Sequence, residues 1–455
     1  MPKSINPATG KTVKTYKSHT QKQIREIIEK ADECFQEWRT TTLAERAKRM
    51  KKAAKILRSR KEKYGKIITE EMGKVYTSSV AEVEKCAWVC EYYAENAATF
   101  LADEPIKTDA KKSLVAFRPL GVVLAVMPWN YPFWQVFRFA APGLMAGNTG
   151  ILKHADNVSG CALAIQEVFE DAGFLKHAFT SLLISSKQVE KIIQHPLVRA
   201  VTLTGSEPAG SAVAAAAGKA IKPTVLELGG SDPYLILEDA DLEYAAAQCA
   251  ESRLLNAGQS CIGAKRFIVL EKVYTKFMEL FLAKMNAAKV GDPMEEDTDI
   301  GPLARPDLRE DLHKQVQKSI RMGARCLLGG TIPDGPGTFY PPTVLTNITE
   351  KMPAYQEEFF GPVANVFRVK NLEEAIRIAN DTEFGLGAAV FTKNSKKGEK
   401  IAKDRLEAGC CFVNHYVKSD PRLPFGGIKT SGYGRELSKE GIRSFVNIKT
   451  VYVAE

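Results

Sequence analysis

Several patterns that mark common classes of protein are missing from this sequence of 455 residues. It has no run of about 18 apolar residues that could span a membrane, and its polar start holds no apolar stretch of a signal peptide. The nine cysteines include no CxxC pair and the six histidines no HExxH, so no zinc-ligand spacing is present. Nine cysteines without a secretory signal predict reduced thiols, a cytoplasmic protein and no metal site.

Glycine-rich phosphate motifs are incomplete as well. A dinucleotide site usually carries GxGxxG between a strand and a helix, but the GLG at 385–387 lacks the third glycine. Residues 205–210 have P-loop spacing, yet Ser211 stands where lysine is required, which argues against phosphoryl transfer from ATP. Gly205 and Ser206 still lie between a predicted strand and a predicted helix, where free N–H groups attract phosphate. A plain turn between strand and helix is the alternative.

The charge balance permits anionic ligands without demanding nucleic acid. With 63 basic and 54 acidic residues, the net charge is +9, which is modest for this length. Eleven of the basic residues lie between Arg46 and Lys66 on a predicted helical stretch. Because aromatic residues do not alternate with them, and only Tyr64 lies among them, we interpret this run as a solvated helix face rather than a nucleic-acid surface.

Alternating apolar runs and helical patterns predict the fold. From residue 121 onward, short runs rich in Val, Ile and Leu alternate with helical segments, and the alternation begins again after residue 232. This predicts an α/β protein with two doubly wound parallel-sheet domains in series. The segments 105–120 and 440–455 have strand patterns outside that alternation. An uncovered edge strand exposes unpaired backbone N–H and C=O groups that can bind another chain. We therefore expect these segments to form a β oligomerisation arm.

Three residues stand where chemistry is expected. Cys261 lies in the polar, glycine-containing stretch NAGQSC, whereas an inert cysteine more often has apolar neighbours. Glu227 closes the apolar run TVLEL, where a carboxylate is costly unless it is used or paired. Asn130 follows GVVLAVMPW, and its amide could donate to a developing oxyanion. Taken singly, these residues leave an inert thiol, a structural ion pair and a turn residue open as alternatives.

Seven segments, in a fixed order, carry a family resemblance. They are INPATG at 5–10, MPWNYPF at 127–133, LTGS at 203–206, ELGG at 227–230, GQSC at 258–261, EEFFGP at 357–362 and PFGGIKTSGYGRE at 424–436. With these segments the chain resembles the aldehyde dehydrogenase superfamily over essentially its whole length. The cofactor domain of that family works without GxGxxG, which accounts for the missing fingerprint.

The resemblance implies a role for each matched residue. Cys261 would be the nucleophile, Glu227 the general base, and Asn130 the oxyanion donor together with the backbone N–H of Cys261. The residues that would bind the cofactor are Trp129, Lys153, Asp156, Gly205, Ser206, Leu228, Glu358 and Phe360. The implied layout is an NAD(P)-binding domain at 1–104 and 121–229, a catalytic domain at 230–420, and the arm at 105–120 and 440–455, in a homodimer or homotetramer.

Within the family, the chain most resembles the short bacterial succinate-semialdehyde dehydrogenases. The early INPATG, the LKHADN at 152–157 and Arg138 in FWQVFRF carry this likeness. It implies NAD(P)-dependent oxidation of succinate semialdehyde, or of another small or ω-carboxy aldehyde, to the carboxylate. A coenzyme A-acylating enzyme is the other possibility within the family. Glu227 argues against it, because a base that activates water would spoil thioester transfer.

Arg138 and Ser419 are the residues that we expect to bind the substrate. An arginine on an apolar helix is costly to bury without a partner, and a cation is suited to the distal carboxylate of the substrate. Ser419 would be a second donor to the same carboxylate. A salt bridge to a nearby carboxylate is the alternative role for Arg138.

Asp156 leads us to expect NAD as the preferred cofactor, with NADP possible. A carboxylate facing the adenine ribose accepts hydrogen bonds from both ribose hydroxyls of NAD, whereas it repels the 2′-phosphate of NADP. Lys153, three residues earlier, offsets part of that repulsion. The alternative role for Asp156 is that of a helix N-cap turned away from the ribose.

Overall fold

The computed structural model of the protein describes residues 1–454, and in this range the strands form four sheets. The strands are β1 Lys3–Ile5, β2 Thr12–Thr15, β3 Glu104–Pro105, β4 Lys112–Pro119, β5 Val122–Met127, β6 Thr149–His154, β7 Phe179–Ser181, β8 Val198–Thr204, β9 Thr224–Glu227, β10 Pro233–Ile236, β11 Arg266–Leu270, β12 Arg325–Leu328, β13 Thr343–Thr346, β14 Val363–Val369, β15 Gly387–Phe391, β16 Cys410–Val413, β17 Gly432–Tyr433 and β18 Val446–Val453.

The helices lie between and around these strands. They are α1 Gln21–Trp38, α2 Leu43–Ser59, α3 Lys61–Met72, α4 Tyr76–Phe100, α5 Trp134–Ala146, α6 Ser159–Asp171, α7 Val189–Gln194, α8 Glu207–Lys219, α9 Leu242–Leu254, α10 Glu271–Ala287, α11 Pro306–Arg321, α12 Pro353–Gln356, α13 Leu372–Asn380, α14 Ser395–Asp404 and α15 Ser438–Arg443.

Two large sheets form the body of the protein. The first has the order β17-β9-β8-β5-β6-β7 and is parallel except for β17. The second has the order β12-β13-β14-β11-β10-β15-β16 and is parallel except for β12. Their central strands are buried almost throughout, as strands covered by helices on both faces require. The predicted α/β fold with two parallel sheets is therefore confirmed.

Helix α5 is anchored by a carboxylate from α4. The side chain of Glu82 accepts hydrogen bonds from the backbone N–H groups of Phe133 and Trp134, at 2.9 and 3.0 Å, where α5 begins. Glu82 also forms a buried ion pair with Lys74. A carboxylate at this end of a helix satisfies unpaired N–H groups and favours the helix dipole. The contact fixes α5, which carries Arg138, against α4.

The third sheet is antiparallel and has the order β18-β4-β3. β18 pairs with β4 from Val446 opposite Pro119 to Val453 opposite Lys112. Ile448 on this sheet is 64% exposed, as is typical of an uncovered surface. The sheet lies in the two segments that we expected to form an arm, with one correction. Residues 438–443 form α15, which packs against α4 and α5, so the strand begins at Val446 rather than near 440.

The long basic stretch lies on α2 and α3, and much of its charge is paired within the chain. Six of the eleven basic residues lie within 4.0 Å of a carboxylate.

Over residues 1–454, no helix is long and apolar enough to cross a membrane. The same range holds no group of three or more His, Cys, Asp or Glu side chains that could bind a metal ion. All nine cysteines are free thiols.

Candidate active site

A strained loop holds Cys261. Asn256 and Ala257 have φ of 55° and 54°, in the left-handed region that costs a residue with a side chain about 1–2 kcal/mol. Gly258 follows with φ of 73°, and a Cβ there would lie 2.2 Å from the backbone of Gly361. Only glycine allows this approach of two backbones. The loop therefore fixes the position of the thiol.

Cys261 lies between two cavities and contributes to the wall of both. The first cavity has a volume of about 380 Å³, and the second about 240 Å³. Six of the eight residues predicted to bind the cofactor line the first cavity: Trp129, Gly205, Ser206, Leu228, Glu358 and Phe360. Arg138 and Ser419, the residues predicted to bind the substrate, line the second. The Cys261 thiol can therefore contact a ligand in either cavity.

Asn130 is held with its amide at the first cavity. Its Nδ2 donates to the backbone oxygen of Gln259 at 3.0 Å, and its Oδ1 accepts from Gln135 Nε2 at 3.1 Å. A side-chain amide has two N–H donors, so one remains for a ligand. Asn130 follows β5 and Gln259 precedes Cys261, and this contact joins the edge of the first sheet to the cysteine loop.

Burial and the nearby cations have opposite effects on the pKa of the Cys261 thiol. Burial raises the pKa of the Cys261 thiol to about 12, although the cations Arg138 and Lys265 act to lower it. Lys265 is fully buried, and its Nζ donates to the backbone oxygen of Cys261 at 2.5 Å. The same Nζ lies 3.1 Å from Glu358 Oε1. Lys265 was not predicted from the sequence, where its only signal is a Lys-Arg pair at the start of the buried strand β11.

Glu227 ends β9 as a buried carboxylate without partners. It is 2% exposed, and neither of its oxygens has a hydrogen-bond partner within the described chain. Burial and the nearby charge of Glu436 raise the pKa of Glu227, while Arg138 and Arg435 act against the rise. A Cβ on Gly426 would lie 2.6 Å from Glu227 Oε1, so glycine leaves room for this side chain. A carboxylate with a raised pKa and no partner is suited to take up a proton.

Arg138 has the ion pair that was the alternative to substrate binding. Its Nε lies 2.7 Å from Glu436 Oε2, and both side chains are 3% exposed. Its guanidinium carbon also lies 4.7 Å from the centroid of the Phe425 ring. Arg138 nevertheless remains in the wall of the second cavity. The structure therefore gives it a structural partner and access to a ligand.

Lys153 and Asp156 lie outside the wall of the first cavity and contact each other. Lys153 Nζ is 2.9 Å from Asp156 Oδ1, and the Asp156 side chain is 51% exposed. Asp156 begins a short 3₁₀ turn before α6, and its side chain does not cap either element. The ion pair compensates the charge of the carboxylate.

These observations define a class of protein. A partly buried thiol lies beside the carboxyl end of β5, with an amide donor nearby and a cavity on either side. The unpartnered carboxylate of Glu227 ends β9 of the same sheet, outside both cavity walls. That arrangement is typical of an enzyme that attacks its substrate with a cysteine.

The comparisons with known proteins give the family. Residues 2–451 match the aldehyde dehydrogenase family. The chain is 53% identical, over 99% of each chain, to a probable succinate-semialdehyde dehydrogenase (NADP+) from Synechocystis sp., and 51% identical, again over 99% of each, to the succinate-semialdehyde dehydrogenase (NADP+) of Mycobacterium leprae. A succinic semialdehyde dehydrogenase from Streptococcus pyogenes, solved with NADP+ as the cofactor, is 40% identical with a TM-score of 0.98 and full coverage of both chains.

The chain belongs to the aldehyde dehydrogenase family. The predicted class of enzyme and the family resemblance are confirmed. The expected preference for NAD over NADP is wrong, because the two similar sequences carry names with NADP(+) and the S. pyogenes structure contains NADP+. The expectation included an offset by Lys153 but not a direct ion pair between Lys153 and Asp156. This ion pair weakens the repulsion that we expected Asp156 to exert on a phosphate.

Proposed function

We propose that the protein oxidises succinate semialdehyde to succinate with NADP as the cofactor. The observation that carries this proposal is the position of Cys261 between two cavities. One is lined by residues of the cofactor motifs, and the wall of the other includes basic and hydroxyl side chains among apolar ones. The names of the relatives at 53 and 51% identity support the substrate and the cofactor.

The first half of the reaction uses Cys261 and Asn130. The thiol gives its proton to water and its sulfur adds to the aldehyde carbon, which leaves an oxyanion. The free N–H of Asn130, together with the backbone N–H of Cys261, donates to that oxyanion. Removing one donor of this kind costs about a hundredfold in rate or more. When bound, the nicotinamide cofactor supplies the acceptor for the hydride that leaves the same carbon.

The second half uses Glu227. The acyl group remains on the Cys261 sulfur as a thioester. Glu227 takes a proton from a water molecule, the hydroxyl oxygen adds to the thioester carbon, and the carbon–sulfur bond breaks. The carboxylate product and a thiol result, so that neither a metal nor coenzyme A is needed.

The residues of the first cavity fit a nicotinamide dinucleotide. Ser206 is the N-cap residue of α8 and its hydroxyl makes no cap hydrogen bond, which leaves N–H groups of the first turn for a phosphate. A Cβ on Gly229 would lie 2.5 Å from Glu358 Oε2, so the glycine keeps this wall clear. We propose that Glu358 binds a ribose and that Trp129 and Leu228 pack beside the cofactor. Phe360 packs on Trp129, with the ring centroids 5.8 Å apart.

At the adenine end, Lys153 offers the cation for a 2′-phosphate. Its ammonium is buried, and besides Asp156 it donates to the backbone oxygen of His154 at 2.7 Å. An ammonium has three donors, so one remains for a phosphate oxygen. We propose that Lys153 makes this contact and that Asp156, which it holds, contacts the ribose.

The proposal is tested with a panel of aldehydes that do and do not carry a distal carboxylate. Each is assayed with NADP and with NAD by the absorbance of the reduced cofactor. We expect kcat/KM to be highest for succinate semialdehyde with NADP. A greater kcat/KM for butanal than for succinate semialdehyde would reject the substrate, and acyl-coenzyme A as the product would reject hydrolysis by Glu227.

Replacing Arg138 by methionine is expected to reduce both stability and selectivity. The change leaves the Glu436 carboxylate buried without its cation, which costs about 3–5 kcal/mol in the free energy of unfolding. It also removes a positive charge from the wall of the second cavity, where we propose that Arg138 and Ser419 act on the substrate carboxylate. The measurements are chemical denaturation and kcat/KM for succinate semialdehyde and butanal.

The double variant Arg138→Met with Glu436→Gln separates the two effects. It removes the buried negative charge and should recover part of the lost stability without restoring the preference for succinate semialdehyde. Equal losses of kcat/KM on both aldehydes would show that Arg138 has only a structural role.

We also propose the domain division at 1–104 with 121–229 and at 230–420, and a homodimer or homotetramer formed through the third sheet. Ile448 and Tyr452 on β18 are 64 and 53% exposed. Apolar side chains on an open edge favour burial by a second copy.

The nine free thiols support a reducing compartment, and we propose the cytoplasm.

The variant Ile448→Lys with Tyr452→Lys is expected to shift the protein towards monomers, because it places charges in the proposed interface. Light scattering after size-exclusion chromatography measures the mass. The control Lys276→Met removes an exposed charge from α10, outside the third sheet, and should leave the mass unchanged. A parent chain that elutes as a monomer would contradict the arm.

A further inference from the structure

Lys85 is a cation without an anionic partner at the second cavity. It lies on α4 and lines the cavity that also contains Cys261. Its Nζ donates to Ser419 Oγ at 3.0 Å and lies 4.3 Å from the centroid of the Trp134 ring. Within the described chain, no carboxylate lies within 4.0 Å of this ammonium. Lys85 was not among the residues predicted from the sequence.

Two other cations near this cavity already have carboxylate partners, whereas Lys418, which also lines it, is exposed and contacts His415. Arg138 pairs with Glu436, with Nε and Oε2 2.7 Å apart. Lys74 pairs with Glu82, which itself lines the cavity. Lys85 is half-buried, and covering an ammonium without a counter-charge is unfavourable. An anionic ligand would recover that cost. Lys85 is therefore placed to meet a negative charge that the chain does not supply.

Ser419 is oriented by the same contacts. Its Oγ accepts from Lys85 Nζ at 3.0 Å and from Trp134 Nε1 at 2.9 Å. A hydroxyl has two lone pairs and one proton, so both lone pairs are used and the O–H remains a donor. Lys85 and Ser419 thus present neighbouring donors, which matches the two oxygens of a carboxylate.

We propose that Lys85 is the direct ionic partner of the distal carboxylate of the substrate and that Ser419 donates the second hydrogen bond. This inference rests on the proposed function and names the residue that selects a substrate with a terminal carboxylate. Arg138, which Glu436 holds, contributes positive potential from the neighbouring wall. Lys85 determines specificity and takes no part in bond making at the aldehyde carbon.

The groups that face Lys85 also predict a dependence on pH. Burial, together with the charge of Arg138 from α5, lowers the pKa of Lys85 to about 8. Cys86 and Glu82 on its own helix, and Asp420 from the loop after β16, act in the opposite direction. Only the protonated amine pairs with a carboxylate. The KM for succinate semialdehyde should therefore rise as the pH passes above about 8, and the KM for butanal should not follow it.

The test is Lys85→Met, assayed on succinate semialdehyde and on butanal. We expect the ratio of the two kcat/KM values to fall by about ten- to a hundredfold, mainly through a higher KM for the semialdehyde. Lys85→Arg keeps the charge and should restore most of the ratio and abolish the rise of KM above pH 8. The matched control is Lys51→Met, an exposed lysine on the adjoining helix α2, which should leave the ratio unchanged.

The outcomes separate this inference from the proposed function. If the parent enzyme does not prefer succinate semialdehyde to butanal, the proposed function fails, and the inference fails with it. If the parent prefers the semialdehyde and Lys85→Met keeps that preference, Lys85 is not the anchor and the proposed function stands. Should Lys85→Met not fold, Lys85→Gln and the pH profile of the parent decide the question by the same ratio.

Discussion

The variant Cys261→Ala is expected to lose aldehyde oxidation by about 10⁴- to 10⁶-fold while it still binds NADP, because no other group can form the thioester. Cys261 borders both cavities, but alanine removes only the sulfur and leaves the wall of the first cavity otherwise intact. Steady-state assays give the loss of activity, and titration calorimetry with NADP gives the retained binding.

The control for Cys261 is Cys326→Ala. Cys326 is also a free thiol of intermediate exposure, but it lies on β12 at the edge of the second sheet. Its loss should change turnover little. A Cys261→Ala enzyme with turnover close to that of the parent would show that another residue attacks the aldehyde.

The variant Glu227→Gln should give a burst of reduced cofactor followed by a stall. Hydride leaves before water attacks, so the first turnover proceeds and the acyl group then remains on Cys261. Glutamine keeps the shape of the side chain but cannot accept the proton of water. We expect the burst to equal about one cofactor per active site, and a steady state lower by about 10²- to 10⁴-fold.

Rapid-mixing absorbance measures both phases of this reaction. The control Glu238→Gln changes an exposed carboxylate that pairs with Lys272 at the surface, and it should leave both phases as in the parent. Unchanged steady-state turnover in Glu227→Gln would remove Glu227 as the base.

The sequence predicted the positions of Asn130 and Glu227 because a simple rule applies to them. Both follow apolar runs that form parallel strands, and such strands end at one edge of a sheet.

The remaining parts of the site depend on contacts between distant segments. Lys85 lies on a helix far from Cys261 in sequence, and only the packing of α4 against α5 brings it to the cavity. The pairing of Arg138 with Glu436 likewise joins α5 to the C-terminal region. For Asp156 the sequence showed the charge but not its contact with Lys153, and the predicted cofactor preference was therefore wrong.

The central claim is that this chain oxidises succinate semialdehyde through a thioester on Cys261. The most direct test is mass spectrometry of Glu227→Gln after it is mixed with NADP and succinate semialdehyde and then digested. We predict one succinyl group on the peptide that carries Cys261, in an amount equal to the burst of reduced cofactor. Reduced cofactor formed while Cys261 stays unmodified would contradict the account.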